Sequence, residues 1–140
     1  MGKKKILFVS EDENRELLIE VYNQSDEFEF IELNDPKQVG DVLEREKIDC
    51  IICDAIFHMS GFNFGAGIIV YKMIKALPRE NQIPVIIRSG LDYGDLLNML
   101  KMDLSKVDPS DIIDSVIQTS RLFNILNLKI NSFLHQKQSN

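Results

Sequence analysis

Ile48-Asp49-Cys50-Ile51-Ile52-Cys53-Asp54 is a short apolar run that closes on a carboxylate. Continuous apolar character over so few residues marks a strand buried on both faces, as in a parallel sheet covered by helices. In open sheets of that kind, ligands and chemistry gather beyond the carboxyl ends of the strands, which makes Asp54 the leading functional candidate. Working outward, Lys5-Ile6-Leu7-Phe8-Val9 is a second such run and is followed by Ser10 and the acidic cluster Glu11-Asp12-Glu13. Pro84-Val85-Ile86-Ile87 is a third, closed by Ser89-Gly90.

Helical patterns alternate with these strands. Leu17, Leu18, Val21 and Tyr22 recur at helical spacing, which predicts a helix over 14–24. Phe28, Phe30 and Ile31 mark a second strand, with Glu27 and Glu29 turned outward as at a sheet edge. Asp35-Pro36 combines an acidic cap with a proline suited to the first helical position, and Val39, Val42 and Leu43 supply the apolar face. A third helix carries Ile68, Ile69, Tyr71, Met73, Ile74 and Leu77, and a fourth, short one spans 95–101. A last strand is expected over 104–107, and Asp108-Pro109 repeats the cap-and-proline device to launch a final helix running past Phe133. The order is βα throughout, hence an α/β fold with helices on both faces of a parallel sheet. In the final helix Val116, Phe123 and Ile130 are spaced by seven, as are Thr119, Leu126 and Phe133. Such a seam suits either a homodimer through residues 112–134 or packing on the chain's own sheet.

The chain has 140 residues, 44% of them hydrophobic, enough for one domain with its own core. Residues 1–122 form that domain in this reading, and 123–140 extend the last helix into a tail. A net charge of -6 argues against direct nucleic-acid binding, which needs a basic face. Neither a membrane span nor a secretory leader is visible, so a cytoplasmic location is expected. Cys50 and Cys53 form a CxxC, but three residues of strand separate their Cα atoms by about 10 Å and turn them to opposite faces, which excludes a disulfide. His58 and His135 are too few and too scattered for a metal cluster. Gly61, Gly65 and Gly67 punctuate the loop after Asp54 at a spacing that fits neither the dinucleotide fingerprint nor the P-loop. Phe57, Met59, Phe62 and Phe64 in that loop either form a partner patch or fold inward.

Taken in order, these motifs resemble the receiver domain of two-component response regulators over residues 4–122. Residues 5–12 match the opening strand and acidic pair, 48–54 the phosphoacceptor strand, 84–90 the strand ending in a hydroxyl, and Leu104-Ser105-Lys106-Val107-Asp108-Pro109 the lysine-bearing strand. The resemblance implies a flavodoxin-like three-layer sandwich, with a five-stranded parallel sheet in the order 2-1-3-4-5 and an extended C-terminal helix. It implies a non-enzymatic stand-alone module that takes phosphate on Asp54 from a sensor histidine kinase or phosphotransfer protein and passes the signal to a downstream protein partner. Glu11, Asp54 and the backbone of Ile56 would hold Mg2+, with Asp12 as a substitute. Ser89 and Lys106 would contact the phosphoryl oxygens, Lys101 standing in if the last strand is shifted.

The departures are as informative. Ser10 stands where the family has an acid, His58 where it has a proline, and Asp103 where its switch aromatic belongs. The segment from Ser89 to Lys106 is also shorter than the family's fourth helix and fifth strand require; with Ser10 and the missing aromatic, this motivates a second reading, a pseudo-receiver that binds or scaffolds without phosphorylation. A small flavodoxin-like enzyme or ligand-binding protein is the third class, disfavoured because no cofactor loop can be read.

Overall fold

The computed structural model describes residues 2–58 and 65–138. Five parallel strands, β1 (Lys4–Val9), β2 (Phe28–Leu33), β3 (Cys50–Asp54), β4 (Val85–Ser89) and β5 (Ile112–Asp114), form one sheet in the order β2-β1-β3-β4-β5. The helices are α1 (Arg15–Tyr22), α2 (Val39–Arg45), α3 (Ala66–Lys75), α4 (Tyr93–Leu100) and α5 (Thr119–Gln138). The expected three-layer architecture and strand order are both present.

Alternation along each strand sends its side chains into two separate cores. Leu7, Val9, Ile51, Cys53, Val85 and Ile87 face α2, α3 and α4, and Ile6, Phe8, Cys50, Ile52, Ile86 and Ile113 face α1 and α5. Cys50 and Cys53 therefore lie on opposite faces, both buried and free. Tyr22, Phe28, Phe30 and Phe123 pack ring against ring and dock α5 over α1 and β2.

Asp35 accepts a hydrogen bond from the Lys37 backbone N–H, but the helix it starts opens as a 3-10 turn over Pro36–Gln38 before α2. Asp108-Pro109 behaves similarly and departs further from expectation. Asp108 caps a single 3-10 turn, Pro109–Asp111, which leads into β5 rather than into the last helix. The strand expected over 104–107 is thus a turn, closed by the Val107 N–H donating to the Leu104 carbonyl. Its apolar content has another cause: Leu104 and Val107 are both buried in the core beneath α3 and α4.

In α5, Leu126 and Ile130 of the heptad seam are buried against the sheet together with Leu122, while Val116 lies before the helix and is exposed. Leu128 and Leu134 point outward. Past the sheet, the end of α5 is tied to the α3–β4 connection: Arg79 donates to the Gln136 carbonyl and Lys137 to that of Glu80. Of the loop aromatics, Phe57 folds inward and is buried, while Met59, Phe62 and Phe64 lie outside the described residues.

Candidate functional site

Asp54 closes β3, and the sheet register determines its neighbours. Val9 pairs with Cys53, which brings Ser10 alongside Asp54, and Asp54 itself pairs with Arg88 on β4. Paired residues of adjacent strands share a face, so the Ser10, Asp54 and Arg88 side chains converge at the carboxyl end of the sheet on the α1/α5 side.

Their contacts are close. Arg88 Nε donates to Asp54 Oδ1 at 2.6 Å, and Ser10 Oγ donates to Asp54 Oδ2 at 2.6 Å. Arg88 Nη2 reaches Asp12 Oδ2 at 3.1 Å, Ser10 Oγ at 3.2 Å and Asp54 Oδ2 at 3.3 Å. Arg88 Nη1 points at the Ser115 carbonyl at 3.4 Å, and the guanidinium carbon lies 5.2 Å from the centre of the Phe8 ring. Arg88 is only 6% exposed and Ser10 is fully buried. Burial works against the guanidinium charge, but the hydrogen bond and charge of Asp54, and then of Asp12, outweigh it and raise the Arg88 value.

Asp12 is held on two sides. The Asn14 backbone N–H donates to it, and together with the Arg88 guanidinium this lowers its carboxyl below the ordinary value despite partial burial. A carboxyl depressed by folding contributes stability above its unfolded value, and that contribution disappears as pH falls through the folded one. Denaturant midpoints measured from neutrality downward should therefore fall below about pH 4, and Asp12→Asn should flatten that fall. An unchanged pH profile in the variant would remove Asp12 from the account.

The remaining expected site residues are more dispersed. Glu11 accepts from the His58 backbone N–H, tying the β1–α1 turn to the loop after β3, where Ile56 also lies, half-buried. Ser89 turns its hydroxyl to the Leu91 N–H at 2.9 Å, capping the turn that leaves β4. Lys101 is the left-handed residue that ends α4, and Lys106 is exposed in the turn that follows. Neither lysine stands at a strand end. The end of β5 offers Asp114 and Ser115 instead.

Arg88 completes the site and is not among the residues that local sequence pattern singles out. Its signal was present, since a charged side chain inside an otherwise apolar strand must find a partner or destabilise the fold. As arranged, the donor set does not fit a divalent cation: Asp12 and both oxygens of Asp54 are already bonded to a cation or a hydroxyl, and Ser10 supplies no charge. Among the described residues no group of three or more histidines, cysteines and acids could hold a metal.

No protein-family model matches the chain, and no curated protein matches it by sequence. Solved structures do. The signal receiver domain of a Luxo repressor protein from Vibrio parahaemolyticus is 18% identical with a TM-score of 0.72, over 99% of this chain and 98% of that one. The receiver domain of a sensor histidine kinase from Pseudomonas aeruginosa, which has magnesium in its active-site cleft, is 20% identical with a TM-score of 0.66, over 92% and 98%. The BeF3-activated receiver domain of RstA from Klebsiella pneumoniae is 20% identical with a TM-score of 0.66, over 91% and 98%. The chain has the receiver-domain fold.

Proposed function

We propose that this receiver-fold chain is a signalling module that acts by protein contact, with Asp54 serving as a paired structural anion and not as a phosphoacceptor. One observation carries the reading: both oxygens of Asp54 are engaged at 2.6 Å, one by the Arg88 guanidinium and the other by the Ser10 hydroxyl. A carboxylate is a weak nucleophile toward a phosphoryl group, and transfer requires cations placed on the transferring oxygens. Here the buried Arg88 cation is bonded to the nucleophile itself. The nearby lysines do not supply a replacement at a strand end.

Intact mass after incubation with acetyl phosphate or phosphoramidate and magnesium tests the proposal. The expected spectrum shows the unmodified protein alone. A phosphoryl adduct that disappears in Asp54→Asn would overturn it and favour a phosphoacceptor fed by a sensor histidine kinase or phosphotransfer protein. That second reading is supported by the place of Asp54 at the carboxyl end of β3, where its side chain is still 14% exposed.

A further inference from the structure

The Arg88 side chain joins more of the molecule than a simple ion pair does. Its three nitrogens touch Ser10 and Asp12 after β1, Asp54 on β3, and the Ser115 carbonyl after β5, all from a residue on β4. The guanidinium carbon lies over the Phe8 ring and the residue is buried, so the group is desolvated. Its fixed positive charge is held between the carboxylates of Asp12 and Asp54, at the ends of neighbouring strands, and balances two anions that would otherwise face each other.

We propose that the Arg88 guanidinium is a built-in substitute for a divalent cation, and that its removal uncovers a latent divalent-metal site made by Asp12 and Asp54. The inference rests on the reading of Asp54 as a paired anion. Two carboxylates and a hydroxyl, freed of the guanidinium, leave oxygen ligands of net negative charge, the chemistry that hard cations select. While Arg88 is present, a divalent cation would meet a like charge within hydrogen-bond distance of both acids. Lysine in its place would retain the repulsion but not the planar fork that reaches three strand ends at once.

The experiment is a titration of the full chain with Mn2+, followed by water-proton relaxation and by the thermal midpoint. The parent and Arg88→Lys should bind weakly. Arg88→Met should bind about tenfold more tightly or better, and its midpoint should rise with Mn2+. If Arg88→Met is unfolded without metal, Mn2+ should restore its far-ultraviolet dichroism. Arg88→Met/Asp54→Asn should lose the gain. The proposal is overturned if the parent binds Mn2+ as tightly as Arg88→Met, or if Arg88→Met gains neither affinity, midpoint nor structure. These readouts involve no phosphodonor, so a phosphoryl adduct on the parent would sink the proposed function without deciding this result, and the converse holds.

Discussion

Arg88→Met is expected to lower the unfolding free energy by about 3 kcal/mol, the cost of breaking a buried ion pair from one side. The argument turns on what is left behind. Asp54 would retain Ser10 as a donor but lose its counter-charge, and Asp12 would keep the Asn14 N–H and the charge of Arg15. Methionine fills much of the stem's volume, so the loss reports charge more than packing. Adding Asp54→Asn removes the stranded anion and should return more than half of the loss, because the two positions are directly bonded and cannot be additive. Urea titrations of the two single variants and the double variant measure this coupling. Additive losses would show that the pair is incidental to stability.

Gly67→Ala is expected to be comparably damaging, by about 3 kcal/mol and a fall of about 10 °C in the thermal midpoint. A Cβ at Gly67 would lie 1.9 Å from the Asp54 carbonyl oxygen and 2.9 Å from the Ala55 Cα. Both are backbone atoms at the end of β3, with no rotamer that could relieve the clash. Alanine would therefore force the first turn of α3 away from the sheet, and α3 carries the buried Ile68, Tyr71 and Ile74. Gly65 makes a useful contrast. Its added Cβ would meet the Met102 sulfur at the tip of a flexible side chain, so Gly65→Ala should cost much less. If the two alanine variants melt together, close approach of α3 to β3 is not what position 67 requires.

The reach of the sequence can be judged strand by strand. Strands β1, β3 and β4 were legible because central parallel strands must be apolar on both faces, and each such run ended in a polar residue at the functional edge. β5 was not legible. It is three residues long, preceded by Asp111 and ending in Asp114, and too short for periodicity to register. Leu104 and Val107 imitated it, because a turn that inserts two side chains into a core has the same composition as a short strand. Asp108-Pro109 compounded the error, since an acidic cap with a proline serves a 3-10 turn as well as it serves a helix.

At the site, the position of Asp54 followed from its place at a strand end, whereas its partner did not. Ser10 could be read only as a missing acid, and Arg88 falls unremarked between the apolar run 84–87 and the Ser89-Gly90 that closes it. What binds them is cross-strand register, with Arg88 lying 78 residues from Ser10 and 34 from Asp54. Local pattern contains no information on register. A rule that every charge within a buried strand needs a counter-charge on a neighbouring strand end would have linked Arg88 to Asp54.

The two edges of the sheet have a consequence for association between molecules. β2 turns Glu29 and Glu32 to solvent along one edge, and β5 ends the other in exposed Asp114. An open edge presents unpaired amides and carbonyls that invite a neighbouring chain to add a strand, and charge at the edge is a common defence. Acids guard both edges here, and with a net charge of -6 two copies meeting edge to edge would repel. The same carboxylates that give the molecule its acidity thus keep a five-stranded sheet from becoming a ten-stranded one.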